Sequence, residues 1–108
     1  MTSQPIFGAL ANPARRRILE ILNEKSRSAG DIAQELAEEF DLRRPAVSEH
    51  LQVLREAGLV AEEARGRQRI YSLNAEGLGE INAWLQPFAR YWRGRLHALK
   101  RTLDKEKP

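Results

Sequence analysis

Apolar residues recur at three- and four-residue intervals in five stretches of the chain, the period of a helix with one buried side. Ile6, Phe7, Leu10 and Ala11 predict a short apolar helix. Asn12-Pro13 then reads as a start signal, with Asn as N-cap and Pro in the first turn. The helix it opens runs from Pro13 to about Lys25 and buries Ile18, Leu19 and Leu22, together with Ile21. Ile32, Ala33, Leu36, Ala37 and Phe40 mark a third helix, for which Ser28 and Asp31 form a capping-box-like start. Val47, Leu51 and Leu54 mark a fourth over about 45–57, with Pro45 at a first helical position and Gly58 as its stop. After a further N-cap at Asn74, Leu78, Ile81, Leu85, Phe88, Trp92, Leu96, Leu99 and Leu103 form a heptad-like stripe, widened by Trp84 and Tyr91. Pro87 interrupts this stripe and predicts a kink, or two helices meeting at Gln86, because it removes the bond to the carbonyl of Ala83.

Between the fourth and fifth helices the pattern changes. Leu59–Ala64 and Arg69–Leu73 read as strands on either side of the turn Arg65-Gly66-Arg67-Gln68, which makes a hairpin. Arg65, Arg67 and Arg69 alternate and would share one side of a continuous strand, unless the turn breaks that register. The segment Glu38–Arg43 reads as a linker between the two central helices.

The polar positions supply the chemistry. On the fourth helix Arg44, Ser48, Gln52 and Arg55 fall on one side, flanked by Glu49 and His50. This mixture of donors and acceptors differs from the Glu/Lys ladder of an ordinary solvated face, and it suits base edges and phosphates in a DNA major groove. An Arg-rich hairpin directly after it suits phosphates or a narrow minor groove. Arg15-Arg16-Arg17 sits unfavourably at the positive end of a helix dipole, as a phosphate contact or as a solvated cluster.

These words, in this order, resemble the winged helix-turn-helix repressors of the ArsR (arsenic-repressor) family. The matching segments are 9–19 (Ala-Leu-Ala-Asn-Pro-Ala-Arg-Arg-Arg-Ile-Leu), 44–60 from Arg44-Pro45-Ala46-Val47-Ser48-Glu49-His50 to Gly58-Leu59-Val60, and Gly66-Arg67-Gln68-Arg69-Ile70-Tyr71. The similarity spans about Ile6 to Leu103 and is nearest to the metal-independent, autorepressor-like branch, whose last helix is rich in aromatic residues. It implies a mainly α fold with a small β-hairpin wing that dimerises through its first and last helices. Two departures stand out. The 38–43 linker is longer than the compact turn usual in the family, and Arg44 stands where a Ser or Thr is common, which leaves the start of the DNA-reading helix open.

Composition narrows the picture further. At 108 residues with 42% hydrophobic and 31% charged residues, one domain over 1–108 is expected, with 1–4 and 104–108 as disordered tails. So small a core has little room for a large apolar stripe on its last helix, so burial against a second copy is expected. Net charge is only +3, yet three arginines fall within five residues at the hairpin. With no Cys, disulfides and thiolate metal sites are excluded. The two His residues, His50 and His97, lie on different elements, and no cofactor or metal is expected. No stretch approaches the ~20 apolar residues of a membrane span, so a cytoplasmic protein is expected. No nucleophile–base pair or phosphate-binding Gly loop supports an enzyme.

The reading is therefore a homodimeric transcriptional repressor on a palindromic double-stranded DNA operator. Its DNA-binding residues are Arg44, Pro45, Ser48, Glu49, His50, Gln52, Arg55, Arg65, Arg67 and Arg69. Its dimer interface comprises Ile6, Phe7, Leu10, Trp84, Leu85, Phe88, Tyr91, Trp92, Leu96 and Leu99. The alternatives are a winged-helix module that binds protein, or a sensor answering to an unidentified ligand.

Overall fold

The structure, a computed structural model, describes residues 4–106. Five helices and three short strands follow one another as α1 (Gln4–Leu10), α2 (Pro13–Glu24), β1 (Arg27–Ser28), α3 (Ala29–Phe40), α4 (Arg44–Glu56), β2 (Val60–Arg65), β3 (Gln68–Leu73) and α5 (Ala75–Glu106). The expected fold, mainly helical with a small β wing, is the fold observed.

The starts and stops follow from local chemistry. Asn12 caps α2 by accepting from the backbone N–H of Arg15 at 3.2 Å, with Pro13 in the first turn. Ser28 caps α3 by accepting from Asp31 N–H at 3.1 Å. Asn74 caps α5 through Glu76 N–H at 3.1 Å. Each satisfies a donor that has no intrahelical partner. The end of α4 is a complete Schellman closure: Leu59 N–H donates to Leu54 O at 2.9 Å and Gly58 N–H to Arg55 O at 3.0 Å. Gly58 takes the left-handed conformation this closure demands, with φ +77°.

The core lies where the inward faces of α1–α4 meet the sheet. Ile6, Ile18, Ile21, Ile32, Leu36, Val47, Leu51, Leu54, Leu59 and Val60 are all buried. Each is worth about 1.5–3 kcal/mol relative to the same side chain in water. Ile6 is 1% exposed, so it belongs to the protomer's own core and is not available to a second copy.

Several expectations are corrected. Asp41 adopts the left-handed conformation, φ 52°, which lets α3 continue to Phe40 and shortens the linker to Asp41-Leu42-Arg43. The turn between the central helices is thus compact. α4 begins at Arg44, with Arg43 at the cap position and no side-chain cap bond. The sheet has three strands in the order β1-β3-β2, because Arg27 and Ser28 pair with Tyr71 and Ile70. α5 is one helix through Pro87, not two. Gln4 and residues 104–106 are helical, and the rest of the expected tails, 1–3 and 107–108, lies outside the described residues.

α5 spans 32 residues, about 48 Å at 1.5 Å per residue. Its first turn docks against the Schellman closure. Asn74 N–H donates to Leu59 O at 2.9 Å. A Cβ placed on Gly77 would come within 2.2 Å of the carbonyl oxygen of Gly58 and 3.1 Å of the Cα of Leu59. Further on, Phe7 of α1 meets Trp84 edge-on at 5.0 Å and Trp84 lies 4.9 Å from Phe88. Residues 90–105 are exposed throughout, including Tyr91, Trp92, Leu96, Leu99 and Leu103.

Gly77→Ala is expected to destabilise the fold by about 1–3 kcal/mol, as overpacking against backbone does. Gly79, with nothing within 4 Å of an added Cβ, is the control: Gly79→Ala should be neutral or stabilising by up to about 1 kcal/mol. Urea unfolding of both variants checks this.

Candidate nucleic-acid interface

A groove of about 550 Å³ opens between α4 and the sheet. α4 contributes Arg44, Ser48, Gln52 and Arg55 to it, the wing Glu62, Arg67, Gln68, Arg69 and Tyr71, and the start of α3 Ser28, Ala29 and Gly30. The α4 set arises because Val47, Leu51 and Leu54 face inward, which turns positions 44, 48, 52 and 55 toward the wing. Ser48, Glu49 and Gln52 are exposed. Gln52 donates to Glu56 Oε1 at 2.9 Å along the outer face.

The hairpin turns on two residues, Gly66 and Arg67, with Gly66 at φ +60°. Its register decides where the arginines point. Arg65 pairs with Gln68 and Ala64 with Arg69, so Arg65 and Arg69 lie on opposite faces of the wing and Arg67 sits at the tip. The shared side that alternation suggested does not form. Arg65 keeps a loose 3.8 Å contact with Glu63, both exposed.

Arg69 shares its face with Glu62, which lies opposite Tyr71. The Glu62 carboxylate collects three donors. Arg55 Nη1 donates at 2.8 Å, Arg69 Nη1 at 3.2 Å to both oxygens, and Tyr71 Oη at 2.7 Å. The hydrogen bond from Tyr71, with the nearby Arg69 and Arg55 charges, holds the Glu62 carboxyl below the usual carboxylate range. Burial and the same bond push the Tyr71 phenol up. Glu62 and Tyr71 carried no role in the sequence reading. Period-two alternation alone hides them, because only the strand register sets Glu62 opposite Tyr71 and beside Arg69.

Arg55 and Arg69 are therefore already paired, whereas Arg44 and Arg67 have no ion-pair partner within 4.0 Å among the described residues. His50 is not among the residues that line the groove. It lies half-buried on α4, with its Nδ1 3.4 Å from Arg15 Nη1. Burial, then the Arg15 charge, lowers its pKa below 6.5 against a smaller opposing pull from Glu49.

The arginine run on α2 has structural work of its own. Arg15 donates to the carbonyls of Ala9 at 2.7 Å and Gly8 at 3.2 Å, and Arg16 to Leu10 at 2.6 Å. These carbonyls belong to the last turn of α1, at its negative end, which offsets the cost of placing cations at the positive end of α2. Arg17 pairs with Glu39 at 3.0 Å and Glu20 at 3.4 Å.

Among the described residues no three His, Cys, Asp or Glu side chains converge on a metal-sized position, and no helix is long and apolar enough to cross a membrane.

Comparison with known proteins places this arrangement. A helix-turn-helix domain profile matches residues 10–63. The chain is 35% identical over 83 residues to the transcriptional repressor SdpR of Bacillus subtilis, covering 77% of this chain and 88% of that protein. It is similar, at 27% identity and TM-score 0.73, to the crystal structure of an ArsR family transcriptional regulator, covering 86% of this chain and 98% of that one. It is also similar, at 27% identity and TM-score 0.65, to the solution structure of a homodimeric winged helix-turn-helix DNA-binding domain from Mycobacterium bovis, described as a possible ArsR-family regulator. That match covers 82% of this chain and 79% of the other.

Because the His50 pKa is lowered on folding, the unfolded chain binds its proton at higher pH than the folded one. Stability is then fullest above the ordinary His range and declines as pH falls from 6.5 toward the folded-state value. Denaturant titrations from about pH 7.5 to 5 should show this slope, and His50→Gln should flatten it.

Proposed function

Since the chain belongs to the ArsR family of winged helix-turn-helix regulators, we propose that it is a homodimeric repressor that reads an operator with the outer face of α4 and grips the flanking backbone with the wing. The observation that carries this is the groove itself. A polar, mixed-donor helix face stands open beside an arginine-bearing hairpin tip, and the groove between them is more polar than apolar. A protein-docking surface would place apolar area there. Regulators of this family are not enzymes, and the protein acts where its DNA is, in the cytoplasm.

Recognition divides between two kinds of contact. Ser48, Gln52 and Glu49 are the side chains for base edges, with Glu49 suited to a cytosine amino group. Pro45, Arg44, Arg65 and Arg67 carry the contacts near the phosphates, which supply most of the affinity and make it salt-dependent. Arg55 and Arg69 border the same groove but enter through their carboxylate partner. His50 contributes by fixing α4 against α2, not by touching DNA.

Two copies are required because the apolar side of α5 has no cover within one chain. Trp84, Leu85, Phe88, Tyr91, Trp92, Leu96 and Leu99 are each at least 40% exposed. Phe7 and Leu10 extend that surface from α1. Pairing these faces sets two α4 helices about one DNA turn apart, roughly 34 Å, which calls for a palindromic site. No metal or other cofactor enters this reading.

Fluorescence anisotropy with DNA from just upstream of the coding region, against scrambled DNA at two salt concentrations, tests the proposal. Tight, sequence-preferring binding at two chains per site is expected, and weak, equal binding to both would count against it. Gln52→Ala should weaken operator binding selectively, and an equal loss on scrambled DNA would rule out base reading. Arg67→Ala should weaken both and flatten the salt slope by about one for each phosphate left without its arginine. Leu96→Glu, studied by sedimentation, should shift the protein to monomer.

A further inference from the structure

Among the described residues, Glu62 is the one acidic side chain that lines the α4–wing groove, beside Arg44, Arg55, Arg67 and Arg69. Its carboxylate does in the free protein what a DNA phosphate would do in the complex. It presents two oxygens to guanidinium donors, one from the recognition helix and one from the wing. Both arginines are open to solvent, Arg55 with 42% and Arg69 with 67% of the side chain exposed, so they can reach a ligand without unfolding anything. Glu62 itself is only 18% exposed and is anchored from behind by Tyr71 at 2.7 Å. An exposed ion pair is ordinarily loose. This one is held because the acceptor is fixed by the buried Tyr71 on the neighbouring strand and by the strand pairing itself.

Resting on the DNA-binding reading above, we propose that Glu62 is a specificity-determining residue: an internal anion that occupies Arg55 and Arg69 and so suppresses binding to DNA that offers only phosphates. Non-cognate duplex must compete with the carboxylate for both guanidiniums, and the Glu62 charge stands close to any phosphate that approaches them. An operator engages the base-reading side chains at the same time and overcomes that competition. The same three bonds hold Arg55 and Arg69 at a set distance across the groove, so Glu62 also fixes the spacing of α4 and the wing.

The test is binding to a short random-sequence duplex as a function of salt, for the full chain and for Glu62→Gln. Removing the charge should tighten non-specific binding by roughly threefold to tenfold and steepen the salt slope by about one for each arginine freed. Glu62→Ala, measured in parallel, makes the result independent of how the amide packs. Glu62→Asp keeps the anion and should keep the shallow slope. Glu63→Gln makes the same charge change on the opposite face of the wing, and should give less than half the gain. Adding Arg55→Ala and Arg69→Ala to Glu62→Gln should cancel the gain. An unchanged affinity and slope in Glu62→Gln and Glu62→Ala overturns the inference while leaving the DNA-binding reading intact. Equal gains from Glu62→Gln and Glu63→Gln overturn it too, because net charge alone would then suffice. No binding of the unaltered chain to any duplex overturns the DNA-binding reading and this inference with it.

Discussion

The whole arrangement depends on one backbone-to-backbone contact, where Gly77 of α5 meets the Gly58–Leu59 corner that ends α4. Two constraints coincide there. The Schellman closure needs a left-handed residue at Gly58, and the approach of α5 needs a residue without Cβ at Gly77. The bond from Asn74 to Leu59 pins the crossing from the other side. The helix that would pair with a second copy and the helix that would read DNA are thereby joined with almost no side chain between them. A side-chain interface could give by rotamer changes, whereas this contact has no rotamers to change. The angle between α5 and α4 is therefore a property of the main chain.

Elements governed by local rules were legible in the sequence. Asn12, Ser28 and Asn74 each cap the helix assigned to them, and Ile18, Ile21, Leu22, Ile32, Leu36, Val47, Leu51 and Leu54 of the predicted stripes are buried in the core, whereas Ala37 is exposed. What the sequence concealed depends on distant partners or on one unusual dihedral. β1 is two residues long and exists only because β3, more than forty positions later, offers its edge. The linker reads as long until Asp41 takes a positive φ and lets α3 finish its last turn. Pro87 looks like a break, yet its position in a long, solvent-facing helix lets the helix continue through it.

The same division runs through the candidate site. Its α4 half follows from helical spacing, which set Arg44, Ser48, Gln52 and Arg55 on one side. Its wing half follows from hairpin register, which no single-strand pattern supplies, and so Arg65 parted from Arg69 while Glu62 and Tyr71 entered unannounced. Counting arginines proved a poor guide to available charge. Those on α2 satisfy helix-end carbonyls or carboxylates, and those facing Glu62 are occupied. The net charge of +3 hides this sorting entirely. What matters for a polyanion is which guanidiniums are still free after the fold has taken its share.

The uncovered aromatic and aliphatic ridge of α5 carries a consequence for dosage. If two copies must meet before either can straddle a site, the population of competent species grows as the square of chain concentration while monomer predominates. Site occupancy then responds to the amount of protein with a threshold instead of a gradual rise. A gene under such control stays open through small fluctuations in repressor number and closes within a narrow window of synthesis. In such a dimer that sharpness would come from the hydrophobic surface that one chain leaves bare.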